Sequence, residues 1–414
     1  MSILGESGGM SASADGGGLS RARLGRMREI LAEGVESGDV PGLVALVHRR
    51  GETHVEALGT QSLDEDAPPM RPDTIFRISS MIKPITAVAA MTLVEECRLR
   101  LDDPVDDLLP ELADRRVLRR ADGPLDDTVP AERAITLRDL LTFRLGYGAT
   151  FGLPEGCPIQ RATAEAGLEI GPDGPQVGAD EWLKRLGALP LVHQPGTAWM
   201  YHTGADVLGV LIARAAGQPL ADVLRERVFD PLGMRDTGFH VPAGKLGRMA
   251  VPYGTDPVTG GMARSREARA GAWDRPPVFA SGGGGPSLLS TAGDYLAFSR
   301  MLLDKGRYDG GRLLSRPAVE LMTTDHLTPG QKAGNEMFLG SGGWGFGLAV
   351  DARRDDLAFR PGRFGWTGGL GTEAYADPHE DLVGVLLTQR VFDSPVAPRV
   401  FQNFWTAAYA AIDD

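Results

Sequence analysis

Cysteine is nearly absent from this chain: Cys97 and Cys157 are the only two in 414 residues. Without a Cys-x-x-Cys pair, neither a disulfide framework nor a cysteine-rich metal site is indicated, and two buried, unpaired thiols are the expectation. Lysine is almost as scarce. Lys83, Lys184, Lys245, Lys305 and Lys332 are five of 43 basic residues, which leaves 38 arginines to carry the positive charge. Lysine can act as a base and arginine cannot, so each surviving lysine merits inspection. No apolar run approaches the roughly 20 residues that span a bilayer. Residues 1–20 lack the charged-then-apolar layout of a signal peptide, so a cytoplasmic protein without a membrane partner is expected. A formal charge of −12, with no block of basic residues to offset it, argues against nucleic acid as a partner. Neither a Gly-x-Ser-x-Gly elbow nor a His-Glu-x-x-His metal motif occurs.

What is present is an ordinary globular composition, 42% apolar and 24% charged, long enough for a large core in one or two domains. Residues 1–20, rich in Gly and Ser, predict a disordered tail. A surface helix over 21–37 and a hairpin of 42–48 with 55–58, turning at Arg50-Gly51, follow from apolar spacing and turn residues. The segment 80–96 is apolar on nearly every side, the pattern of a helix buried mid-fold. Helices and loops then run to Gly284, including 137–142, 206–216 and 220–228. A helix at 292–303, strands at 345–350, 364–367, 372–376 and 382–388, and a helix over 396–411 close the chain. Strands at both ends imply an α+β fold: one sheet assembled from both termini, flanked by the terminal helices, with an inserted helical domain. The boundaries are 21–97 and 285–414 for the sheet domain and 98–284 for the insertion.

The chemistry concentrates in three places. Phe76-Arg-Ile-Ser-Ser80-Met-Ile-Lys83-Pro84 holds Ser-x-x-Lys at the start of the buried helix, so one turn puts hydroxyl and amine on one face. A serine hydroxyl is a weak nucleophile without a base, and a lysine desolvated by apolar neighbours can lose its proton and become one. No other lysine in the chain has serine three positions earlier. Pro84 fits only the first turn of a helix, which fixes its start near Ser80. The second place is Pro195-Gly-Thr-Ala-Trp-Met-Tyr201-His202-Thr203, where Tyr201 on a loop before a helix could relay protons. Action as a base would need a cation such as Lys83 to favour the phenolate. The third is Phe364-Gly-Trp366-Thr367-Gly368-Gly369-Leu-Gly371, a glycine-rich strand whose Gly369 amide, with that of Ser80, could form an oxyanion hole; alternatively these glycines mark a bulge.

In this order and spacing, with Ile135-Thr-Leu-Arg-Asp-Leu-Leu-Thr142, Asp206-Val-Leu-Gly209, Pro231-Leu-Gly-Met234 and Gly345-Phe-Gly-Leu348, the chain resembles the penicillin-binding-protein and serine β-lactamase superfamily. The branch it most resembles is that of the family VIII carboxylesterases. The resemblance runs from about Arg21 to the C-terminus and implies a β-lactamase/transpeptidase-like fold. It makes Ser80 the acylated nucleophile, Lys83 the amine that shares its proton, and Tyr201 the partner base or acid. Two positions depart from the superfamily pattern: Tyr-x-Asn appears as Tyr201-His202-Thr203, and Lys-Thr-Gly as Trp366-Thr367-Gly368. A Trp-x-Gly third motif is a mark of the esterase branch. Arg363, three residues before Trp366, could reach in to replace the missing lysine. Trp366, Thr367, Gly368, Tyr147 and His202 form the expected substrate-binding set.

The activity expected on these grounds is hydrolysis of a small carboxylic ester through an acyl-enzyme, with no cofactor. The alternatives are a β-lactamase or D-amino-peptidase, an acyltransferase using the same acyl-enzyme, and, least favoured, a non-catalytic penicillin-binding protein. A homo-oligomer is left open.

Overall fold

The computed structural model describes residues 17–171, 174–265, 273–284, 288–394 and 396–414. The first strand, Gly42–Arg49, apolar through Val47, is buried along its whole length because both of its faces are covered. It folds back on Glu52–Gly59 through Arg50 and Gly51, whose φ of 47° and 85° suit a tight two-residue hairpin. On its other edge it pairs antiparallel with Leu382–Thr388 from the far end of the chain. Beyond that strand the sheet continues through Thr372–Asp377, Phe364–Gly368, Ala349–Val350 and Gly343–Trp344, every pair antiparallel. The α+β fold with a sheet built from both chain ends is therefore observed.

Alternation along the strands sorts the side chains onto two faces. Val44, Leu46, Phe364, Ala374, Val383 and Val385 point inward to the large core that contains the buried helix Ile82–Glu95. Leu43, Ala45, Val47, Leu382 and Leu386 point outward, beneath the helices Arg21–Glu36 and Arg399–Ala410. Residues 98–284 supply mostly helices and short hairpins, and helix Thr203–Ala216 lies in the same inner core as Ile82–Glu95. Among the described residues no single helix is long and apolar enough to cross a membrane.

Several expectations need correction. Order begins before Arg21: the Gly17 amide donates to Glu52 at 2.6 Å, and the Ser20 amide donates to the Ala411 carbonyl at 2.8 Å. The rest of the expected tail, 1–16, lies outside the described residues. The segment 345–350 is not one strand. Gly345 and Gly347 form a turn closed by a 2.9 Å hydrogen bond from the Gly345 amide to Leu348, leaving only Ala349–Val350 in the sheet. That turn lies against the buried helix, since a Cβ at Gly347 would stand 2.7 Å from the Lys83 carbonyl oxygen. Cys157 is buried as expected, but Cys97, just past the end of the same helix, is exposed; both are free thiols. The final helix starts at Arg399, with Pro398 at the N-cap position, where the proline ring disfavours helical backbone at Ala397.

The outer face tests the packing. At Gly384, a Cβ would lie 2.5 Å from two ring carbons of Trp405. Gly384→Ala is expected to destabilise the protein by about 1–3 kcal/mol through overpacking, read as a lower urea midpoint at unchanged m-value.

Candidate active site

Ser80 sits in a 3₁₀ turn, Ser79–Met81, that runs into helix Ile82–Glu95. The α-helix thus begins two residues later than the sequence suggested, and Pro84 falls in its first turn, where a missing N–H costs nothing. Ser79 holds φ at 47°, a left-handed conformation that a residue with a side chain adopts only under constraint. One turn on, Lys83 Nζ lies 2.8 Å from Ser80 Oγ. The strand Phe364–Gly368 docks beside this turn because Gly368 has no side chain: a Cβ there would collide with the Ile78 carbonyl. Thr372 Oγ1 donates to the same carbonyl at 3.2 Å.

Lys83 is only 1% exposed. Its amine also donates to the Gly283 carbonyl, lies 3.4 Å from His202 Nδ1, and stands 4.6 Å above the centre of the Tyr201 ring. Loss of hydration penalises the ammonium form and pushes its pKa down to about 7, against the opposing pull of Asp206. Burial drives the Tyr201 phenol the other way, up to about 12, even though Ser80 and the Trp366 indole both favour its phenolate. The amine rests over the ring face and not beside the phenolic oxygen, so the cation expected to produce a phenolate is not placed to do so. Two groups with pKa values pushed apart make a pair in which the amine is the better base and the phenol the proton donor.

The third motif divides between the two sheet faces. Trp366 points inward, is 6% exposed, and donates its indole N–H to Tyr201 Oη at 2.8 Å. Its ring meets Trp344 edge-on, with centroids 4.6 Å apart. Thr367, the next residue, points outward and bonds to Glu373 and Tyr375, so its side chain is not in the site. Arg363 also turns away from the site. It is buried, pairs with Asp351 at 3.0 Å, and stacks on Tyr375 and Trp405 at 4.0 and 4.3 Å. It therefore supplies no cation to a ligand at Ser80. Gly369, just past the strand's end, is exposed, and a Cβ there would meet nothing within 4 Å.

His202 does not face an open substrate pocket. It is 6% exposed and lies behind Lys83, with Nε2 3.2 Å from Asp206 Oδ2. Tyr147 is buried, and its hydroxyl is held by Thr163 at 2.5 Å. It lines, with Phe151, Leu153, Leu168 and Thr203, an open pocket of about 500 Å³.

Sequence reasoning missed Asp206 as a site residue. A buried Asp four residues after His202 on an apolar helix was the available signal. It also missed the aromatic wall of Phe143, Trp199, Phe338 and Trp344 around Tyr201, with Phe338 stacked on the phenol at 4.9 Å.

The sheet, the buried Ser-x-x-Lys helix and the tyrosine loop define a known class of fold. The solved structure of EstCE1, described as a hydrolase with promiscuous acyltransferase activity, matches with a TM-score of 0.77 at 25% identity, covering 94% of this chain and 99% of that one. Residues 27–403 match the family described as Beta-lactamase, and the chain belongs to that family. Protein Rv1367c of Mycobacterium tuberculosis is 42% identical over 378 residues, 88% of this chain and 90% of that protein. Esterase EstB of Burkholderia gladioli is 32% identical over 392 residues, covering 90% and 92% of the two chains.

The Trp366 to Tyr201 bond generates a test. Trp366→Phe keeps an aromatic ring against Trp344 and removes the N–H donor. Ester turnover is expected to fall about tenfold, the equivalent of one hydrogen bond to a developing charge, with thermal stability little changed. Unaltered kcat would show that the indole N–H has no part in holding the phenol.

Proposed function

We propose that the protein hydrolyses small carboxylic esters through an acyl-enzyme on Ser80, in the manner of the family VIII carboxylesterases. The observation that carries this reading is the 2.8 Å approach of a buried Lys83 amine to Ser80 Oγ. The uncharged amine takes the hydroxyl proton as Oγ bonds to the ester carbonyl carbon. Negative charge gathers on the carbonyl oxygen, which the Ser80 and Gly369 amides receive. Collapse breaks the bond to the alcohol, which leaves with a proton from Tyr201 or the newly formed Lys83 ammonium. A water molecule, deprotonated at the same pair, then adds to the acyl carbon and releases the acid and free Ser80.

EstB and EstCE1 support ester hydrolysis through their descriptions as an esterase and a hydrolase. The acyltransferase activity named for EstCE1 favours a second reading, in which an alcohol replaces water as acceptor. The pocket beside Thr203 has room for one. Added alcohol that diverts product from acid to ester would support it.

A β-lactam carries a carboxylate beside its scissile ring, and burying an anion without a cation is costly. Trp366 stands where β-lactamases hold a lysine, and Arg363 is committed to Asp351. The expected result is efficient turnover of short-chain nitrophenyl esters and poor turnover of a chromogenic cephalosporin, with a fluorophosphonate labelling Ser80 and not Ser79. Comparable kcat/KM for the two substrates, or a label mapped elsewhere, would refute the reading.

A further inference from the structure

Among the described residues Lys83 has three polar partners at its amine, and their chemistry constrains which way the amine can face. An uncharged amine offers two N–H donors and one lone pair. The Gly283 carbonyl can only accept, so it takes one N–H. His202 Nδ1 lies 3.4 Å away, and what it does depends on its tautomer. That tautomer is set on the other side of the ring, where Nε2 faces Asp206 Oδ2 at 3.2 Å. A carboxylate only accepts, so Nε2 carries the proton and Nδ1 presents its lone pair to Lys83. Both N–H groups of the amine are thereby committed, one to Gly283 and one to His202. The remaining lone pair faces Ser80 Oγ, 2.8 Å away, in the orientation needed to receive its proton.

We propose that Asp206 and His202 form a relay that turns the lone pair of Lys83 onto Ser80, making His202 a positioning residue for the base. This rests on the acyl-enzyme reading above. The opposite tautomer would put an N–H at Nδ1, capture the lone pair of the amine, and aim an N–H at Ser80 instead. Asp206 fixes both arms of the device. Its Oδ1 accepts from Ser281 Oγ and from the Gly283 amide at 2.9 Å, which holds the carbonyl that takes the other N–H. A Cβ at Gly283 would sit 3.1 Å from His202 Nε2, so the two arms pack against each other. His202 holds φ at 82° and ψ at −68°, a conformation rarely adopted by a residue with a side chain.

The titratable groups facing His202 are Lys83 from the buried helix, Asp206 from its own helix, and Tyr201 with its ring centroid 5.9 Å away. The described segments Ser281–Gly284 and Phe364–Gly368 bring none. Burial and then the Lys83 charge hold His202 below its usual pKa, which keeps the imidazole neutral while the amine works. Burial pushes the Asp206 carboxyl up, yet its interactions with His202, Ser281 and Lys83 outweigh that and keep the carboxylate charged.

Asp206→Asn tests the relay. The amide oxygen can keep the Ser281 and Gly283 contacts, while the NH₂ faces His202 Nε2, can only donate, and so moves the ring proton to Nδ1. The pH–rate profile for nitrophenyl acetate hydrolysis is the readout. A misdirected lone pair is not cured by deprotonation, so the alkaline plateau of kcat is expected to drop at least about tenfold, with KM within about twofold. Fluorophosphonate labelling of Ser80 should slow in parallel. A plateau equal to wild type, with only the acid limb displaced, would reduce Asp206 to a distant charge and overturn the relay. Should Asp206→Asn fail to fold, His202→Leu and His202→Asn carry the test. The leucine lacks an acceptor and is expected to lose the plateau, while the asparagine restores one near Nδ1 and recovers part of it. Equal plateaus in the two would overturn the proposal. A wild-type protein that neither turns over the ester nor labels at Ser80 would instead contradict the esterase reading itself.

Discussion

The site depends on the removal of one ammonium group from water. Lys83 lies on a helix whose residues from Ile82 to Met91 are all buried, and its amine sits over the Tyr201 ring. Burying a charge there is unfavourable, and the group answers by giving up its proton near neutrality. An arginine at this position could not respond in that way. The large inner core thus does more than stabilise the fold, because the same apolar packing that holds the helix in place creates the base beside Ser80.

That base is useful only if three chain segments converge on it closely. Gly368 lets the edge of the third motif touch the Ile78 carbonyl, and the turn at Gly347 lies on the carbonyl of Lys83 itself. From the third side come Tyr201 and His202, adjacent in sequence yet both directed at the same amine. Residues next to each other usually diverge. Here the unusual φ of His202 folds the chain so that a phenol ring and an imidazole reach Lys83 together. On the outer face of the sheet, Arg363, Asp351 and Glu373 form a separate buried cluster with Trp405 of the C-terminal helix.

Much of this was legible in the sequence, and the failures have definite causes. Ser80 and Lys83 could be paired because an apolar helix fixes residues three apart on one face. The sheet could be assembled because strand patterns at both ends had no other partner of comparable length. Thr367 and Arg363 were misplaced because motif adjacency was allowed to override strand alternation. Positions one and three residues from Trp366 must face the opposite side of the sheet, as the pairing of Thr367 with Glu373 and of Trp366 with Ala374 records. The role of His202 was not legible, since it needs a backbone conformation that no local pattern announces. Asp206 was within reach: its i, i+4 spacing from His202 on a buried helix was a signal that went unread.

The scarcity of lysine opens a direct route to the central claim. Five lysines give five side-chain resonances, so ¹³Cε-labelled lysine in the otherwise unlabelled protein can be titrated group by group. Replacement by Lys83→Arg assigns the one that matters. The account predicts that the resonance absent from the variant titrates near pH 7, matching the depressed pKa of about 7. A Lys83 resonance that titrated only near the ordinary lysine value of about 10.4 would mean that Lys83 is a buried cation at neutral pH, and the account of Ser80 activation would fail.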